Sequence, residues 1–198
     1  FAFVRYHTDG SLDMAFNDDG KATFATAILT RNDGASRVTL QADGRIVAAG
    51  GRFKGDDNYR QLGDFALVRL NPNGQLDNGF GQMGWVKTPI GLDVSGAADI
   101  AYRPDGKLVA VGAAVYNTVN SDFAIAMYNP NGSLDMSFGQ AGTGIVTTRI
   151  GGGMDGANGV ALQPDGNIVV VGQADSSEYL GDFASMRYKD TDVIPNAF

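Results

Sequence analysis

The residue types that carry most protein chemistry are scarce in this sequence. One histidine, His7, and no cysteine occur among its 198 residues. A Ser-His-Asp triad or a zinc site requires partner side chains around the imidazole, but the corresponding positions of three related segments hold Asn71, Asn129 and Lys189. The lack of cysteine excludes disulfides, thiolate nucleophiles and thiolate metal sites. We therefore expect no catalytic residue and no cofactor, and we interpret His7 as a solvated turn residue.

Three acidic turns have a spacing that could suggest a metal site. In residues 129–135, side-chain oxygens alternate as at the start of a calcium-binding loop. An EF-hand also needs a glycine at its sixth position and a bidentate acid at its twelfth, and those positions hold Leu134 and Gln140. Hydrogen bonds from the carboxylates to the turn backbone are the simpler role. The sequence therefore predicts no metal site at Asp13, Asp77 or Asp135.

A glycine-rich run, Gly151-Gly-Gly-Met-Asp-Gly156, formally fits the dinucleotide pattern G-x-G-x-x-G. That pattern holds pyrophosphate only between a strand and the start of a helix, where aligned backbone amides meet the phosphates. The neighbouring segments are rich in β-branched residues, so the run is predicted to be a loop between strands.

The elements that must position any site come from an internal repeat of about sixty residues. One strand motif occurs four times, as Phe1-Ala-Phe-Val-Arg-Tyr6 and again from Phe65, Phe123 and Phe183. Its recurring arginines are predicted to pack their stems and pair with an acid; they are Arg5, Arg69 and Arg187. The first three copies are followed by an Asp-Gly or Asn-Gly turn and then by a phenylalanine at 16, 80 and 138.

A second strand and then a hairpin complete each repeat. The second strands are predicted at residues 22–28, 85–90 and 145–150, and the hairpins turn at Asp43-Gly, Asp105-Gly and Asp165-Gly. The strands after these turns, 46–50, 108–112 and 168–172, are apolar without alternation. Both of their faces must therefore be buried, and a side chain at Gly112 or Gly172 would overpack the neighbouring sheet.

Four short antiparallel strands at this period predict an all-β fold of tandem four-stranded sheets, the blades of a β-propeller. The repeated motifs resemble the bacterial delta-60 repeat family over residues 1 to about 188. The resemblance implies propeller domains in large, secreted or surface-associated bacterial proteins. Repeat 1 departs from the pattern, because its turn lacks the proline and a charged insert follows at residues 53–60.

We divide the single repeat domain, 1–198, into repeats 1–64, 65–122 and 123–182, followed by a closing strand and tail over 183–198. Three blades are too few to close a propeller. The chain is therefore expected to be part of, or to assemble into, a larger propeller. Self-association through the end blades, or a protein partner, would cover their apolar faces.

Charge limits the range of partners. The formal net charge of −7 repels phosphate backbones and anionic headgroups, so we expect no nucleic-acid partner. No apolar run reaches the roughly eighteen residues of a membrane helix, so we expect no membrane insertion.

The favoured function is a non-enzymatic protein-interaction or structural module of an extracellular or cell-surface bacterial protein. Repeat scaffolds carry specificity in loops, here predicted between blades at residues 50–64, 112–122 and 172–182. Each contains one tyrosine that could stack on a sugar or fill a partner's pocket, or instead pack in a small cluster under the loop; they are Tyr59, Tyr116 and Tyr179. A glycan-binding propeller is the alternative function, and an enzyme is the third.

Overall fold

The protein folds into stacked antiparallel β-sheets. The structure is a computed structural model, and it describes residues 1–24, 32–55, 61–93, 95–139, 142–175 and 181–189. Thirteen strands run through this part of the chain. The predicted all-β fold of four-stranded antiparallel blades is confirmed.

The strands form four sheets, numbered I to IV along the chain. Sheet I pairs β1 (Ala2–Val4) with β2 (Lys21–Thr23). Sheet II contains, in spatial order, β3 (Asn32–Leu40), β4 (Ile46–Gly55), β5 (Gln61–Leu70) and β6 (Trp85–Thr88). Sheet III repeats that order with β7 (Gly96–Tyr102), β8 (Leu108–Asn117), β9 (Asn120–Tyr128) and β10 (Ile145–Thr148). Sheet IV contains β11 (Gly156–Leu162), β12 (Ile168–Ala174) and β13 (Asp182–Tyr188).

Each complete sheet joins strands from two sequence repeats. The hairpin at the end of one repeat provides β3 and β4, and the first two strands of the next repeat provide β5 and β6. The hairpin strand β4 pairs with β5 from Ile46↔Leu70 to Gly55↔Gln61. The final strand motif, residues 183–188, pairs in the same way with β12 as the third strand of sheet IV. Pairing in a meander thus crosses the boundary at which the sequence motif restarts.

The turns form where the sequence places Gly after Asp or Asn. The carboxylate of Asp105 accepts the Lys107 amide at 3.1 Å, and Gly106 takes a φ of 88° that suits glycine. Asp43 and Asp165 accept the same kind of bond from residues 45 and 167, each at 3.1 Å. These short-range bonds fix the hairpin register before long-range packing is needed.

The sheets stack face to face in chain order, with one apolar cluster at each junction. The strand β8 contributes to both sides, since Leu108, Val109, Ala110 and Val111 are all fully buried. In β12, at the end of the stack, Ile168 and Val170 are buried while Val169 and Val171 are only half-buried. Continuous apolar strands are therefore explained by a neighbouring sheet on both faces, as predicted.

Candidate functional site

The predicted variable loops are hairpins inside the sheets. Residues 112–122 belong to the hairpin of β8 and β9, which are adjacent strands of sheet III. Residues 50–64 and 172–182 likewise connect β4 to β5 and β12 to β13. The prediction that these loops lie between blades is wrong, because the strand motif pairs with the hairpin before it. Among the described residues, connections between sheets run through residues 89–93 with 95 and through residues 149–155.

Of the three candidate tyrosines, only Tyr116 can be placed. Tyr59 and Tyr179 lie outside the described residues. Tyr116 is half-buried near the end of β8 and packs against the apolar cluster between sheets II and III. Its ring therefore contributes to the core at this end of the sheet while part of it stays accessible.

The hairpin around Tyr116 carries exposed apolar side chains that sequence inspection missed. Val119 lies at its tip and is 64% exposed, and Leu92 in the preceding connection is 76% exposed. Met154 in the following connection is 42% exposed. The Leu92 amide bonds the Val115 carbonyl at 2.8 Å, and Met154 forms an isolated bridge with Ser121. We call the surface formed by Leu92, Tyr116, Val119 and Met154 the hairpin-end surface.

Buried polar groups hold the hairpin-end surface in place. On one side, the Ser95 hydroxyl accepts the Val115 amide at 3.1 Å. On the other, the Ser121 hydroxyl donates to the Asp155 carbonyl at 2.7 Å, and both residues are almost fully buried. The apolar side chains thus project from a backbone that is bonded on both flanks, which lowers the ordering cost of binding.

The glycine-rich run is a loop between β10 and β11, and its amides are occupied. The Asp155 carboxylate accepts the amides of Ile150 and Gly151, both at 2.7 Å. Asp175 accepts the Gly152 amide through its carbonyl at 2.8 Å and the Met154 amide through its carboxylate at 3.2 Å. Because these donors are internally satisfied, they are not directed at a phosphate, and no helix follows the loop.

The recurring arginines clamp one sheet to the next. Arg69 donates to Asp77 at 2.8 Å, stacks over the Phe80 ring at 4.4 Å, and bonds the Pro130 carbonyl of sheet III. Arg5 makes the same three contacts, with Asp13, Phe16 and the Pro72 carbonyl. The predicted packing of Arg5 and Arg69 with an acid is confirmed. In repeat 3 the strand arginine is replaced by Met127, and Lys107 reaches Asp135 at 2.7 Å instead.

The acids of the predicted metal-like turns fix those turns. Asp13, Asp77 and Asp135 each accept an amide two residues later at 3.0 Å. Burial acts to raise the pKa of Asp135, but hydrogen bonds from Lys107 and Ser137 outweigh it and hold that pKa below its ordinary value. His7 is exposed, with its Nε2 3.7 Å from Asp13 Oδ1. Within the described ranges, no group of three or more His, Cys, Asp or Glu side chains is arranged to hold a metal ion.

A concave groove of ≈ 540 Å³ follows the outer strand β6. Its lining combines apolar Val86, Leu134 and Ile145 with polar Gln82 and Ser133. Lys87, which pairs with Asp64 at 3.1 Å, is the one ionisable side chain among the described residues that line it. Such a lining can bind a molecule but provides no acid–base pair for a reaction. In the part of the chain that is described, no helix has the length and apolar character required to cross a bilayer.

Two segments, residues 41–80 and 103–138, match the family model described as a domain of unknown function (DUF5122) beta-propeller. Each segment runs from the Asp-Gly turn through two central strands to the anchoring phenylalanine, Phe80 or Phe138. No curated protein matches the chain. The matched segments and the four stacked antiparallel sheets together identify the chain as a tandem array of β-propeller-type blades.

Proposed function

We propose that this protein is a non-enzymatic protein-interaction module that binds its partner through the hairpin-end surface. One observation carries the proposal: Leu92, Val119 and Met154 are exposed at the same end of sheet III, on the hairpin tip and on the two connections whose backbones are bonded to its strands. Apolar side chains gathered at one place on a protein surface are typical of interaction sites. Rigid presentation favours binding because little conformational entropy is lost when the complex forms.

The surroundings of this surface favour a peptide or protein over a charged ligand. The connection before the hairpin contributes Leu92, and the connection after it contributes Ile150, which is 41% exposed, together with Met154. Methionine and leucine adapt to the shape of an apolar partner without fixed polar geometry. The partner is therefore expected to present an apolar segment.

A peptide-display selection tests the proposal. We expect selection on the wild-type protein to enrich peptides with apolar anchors, and the combined Leu92→Ser, Val119→Ser and Met154→Ser variant to lose them. Replacing three exposed apolar side chains with serine should leave the fold intact, and a thermal melt verifies this. Met14→Ser is the matched control, because Met14 is 58% exposed at a different turn, and this variant should retain the peptides. Peptides that bind the combined variant and the wild type equally would refute the proposed surface.

Glycan binding through the tyrosines remains the competing function, and a glycan array separates it from the proposal. Retention of glycans by the wild type, with loss on Tyr116→Ala, would favour it over the peptide interface. We further propose that the repeats are of the delta-60 type and that the protein acts outside or on the surface of a bacterial cell. The spaced Asp-Gly and Phe-Ala motifs support the first statement, and the second follows from the resemblance.

A further inference from the structure

The junction between sheets II and III shows how two blades of this protein fit together. One side is formed by the strand-motif face of β5, with Phe65 and Leu67. The other side is formed by β9, with Ala124, Ala126 and Tyr128. All five side chains are fully buried. Each blade therefore has two different faces. We call the face that carries the motif phenylalanine, such as Phe65, the leading face, and the opposite face, which carries Ala124 in sheet III, the trailing face.

No described residue covers the leading face of sheet IV. Phe183 is the repeat equivalent of Phe65 and Phe123, which are 0% exposed, yet it is 80% exposed. Val169 and Val171 share its face and are half-buried, whereas their equivalents Val109 and Val111 are fully buried. This end therefore presents the same kind of face that sheets II and III cover with the next blade.

The trailing face at the other end of the stack is likewise left open by the part of the chain that the structure describes. Val4 and Tyr6 are 48% and 63% exposed. Their equivalents in sheet II, Val68 and Leu70, are 0% exposed beneath sheet I. Sheet IV thus exposes a leading face and sheet I exposes a trailing face. These are the two kinds of face that pack together at each internal junction.

We propose that a second copy of this chain docks head to tail, with its sheet I covering the leading face of sheet IV. The arrangement continues the junctions already present within the chain. It would also form the arginine-to-carbonyl bond of the clamp across the new junction. Arg5 reaches the Pro72 carbonyl and Arg69 reaches the Pro130 carbonyl, each one sheet further on. The exposed Arg187 would meet the equivalent carbonyl, that of Thr8, in the second copy.

A head-to-tail contact uses two different surfaces, so copies can add in a ring or in an open chain. Sheet IV carries Ser185 where sheets II and III have Leu67 and Ile125. This face is therefore less apolar than the internal ones, and the association should depend on concentration. The hairpin-end surface is not part of this contact.

Light scattering during size-exclusion chromatography, over a range of concentrations, tests the proposal. We expect the wild-type chain to associate, and Phe183→Ser or Tyr6→Ser to weaken the association by at least about ten-fold. Both side chains are exposed, so both variants should melt like the wild type. Met136→Ser, at a 61% exposed side chain of sheet III that belongs to neither end face nor to the hairpin-end surface, is the control and should associate normally. A failure of the peptide selection would leave these results unchanged, so the two proposals can fail separately.

Mixing the two variants gives the sharper result. The Phe183→Ser copy keeps an intact trailing face and the Tyr6→Ser copy keeps an intact leading face, so the mixture should form a dimer that grows no further. A wild type that stays monomeric at every concentration, or a mixture that does not restore a dimer, would overturn the proposal.

Discussion

Gly112 ends the buried part of β8 at a point where even one added carbon has no room. A Cβ placed there would lie 2.0 Å from the Gly96 carbonyl oxygen and 3.0 Å from the Phe65 ring. Gly50 and Gly172 have the same contact, at 1.9 Å from Gly34 and 2.0 Å from Gly156. The sequence predicts overpacking against the neighbouring sheet, but the nearest atom belongs to the paired strand of the same sheet. The recurring glycine therefore permits the bulge in the first strand of sheets II, III and IV.

The cost of Gly112→Ala follows from this geometry. A carbon and an oxygen need more than 3 Å, so the strands would have to separate by about 1 Å within a buried and hydrogen-bonded ladder. Overpacking of this kind typically costs about 1–3 kcal/mol, and a backbone obstacle places the change at the upper end, about 3 kcal/mol. For a domain of this size that corresponds to a fall in Tm of roughly 6–12 °C.

Urea unfolding followed by circular dichroism measures the change. Gly152→Ala is the matched control, because it adds the same methyl group where no atom lies within 4 Å. We expect the control to stay within about 0.5 kcal/mol of the wild type. Equal stability of Gly112→Ala and the control would refute the assigned β7–β8 pairing.

Three further outcomes are expected. Arg69→Met should cost only about 1 kcal/mol in urea unfolding, because Met127 occupies the equivalent position in repeat 3 and Arg45 still pairs with Asp77 at 3.0 Å. Arg69→Ala also removes the packed stem and should cost about 3 kcal/mol, and an equal cost for both variants would contradict the packing role. The pKa values of Asp105 and Asp135 are lowered in the folded state, so their stabilising effect is present above the unfolded pKa and is lost as pH falls through the folded pKa; Tm should therefore drop below about pH 4. Burial raises the pKa of Tyr128, so stability should also fall above about pH 10, and a Tm that is constant at both limits would contradict this. Excess chelator should leave Tm unchanged, since both oxygens of Asp77 are bonded to protein donors, and a fall of many degrees would show that these turns hold a metal.

Much of the fold could be predicted because its signals are local. The Asp-Gly turns set their own hairpins through bonds two residues apart, and the apolar runs at 46–50 and 108–112 required burial on both faces. The arginine of the strand motif was expected to pair with an acid, and for Arg5 and Arg69 that acid lies eight residues later, as in Arg5 with Asp13. These features depend on neighbouring residues, so composition and spacing were sufficient.

The candidate site depended on contacts that the sequence does not contain. Leu92, Val119 and Met154 are isolated apolar residues among glycines and polar residues, which is a weak local signal; only the hairpin of sheet III brings them together. Tyr116 carried the stronger local signal and is partly used by the core instead.

By itself, the sequence determined the repeat, the strands, the turns and the all-β class, because these depend on periodicity and local hydrogen bonding. The tertiary structure decided which strands share a sheet. A strand such as β5 can pair with the hairpin before it or with the strand after it, and in sheet II it lies between β4 and β6 and pairs with both. It also decided which copies of a repeated residue are buried. Phe65 and Phe183 occupy the same place in the motif, but a following sheet covers only the first.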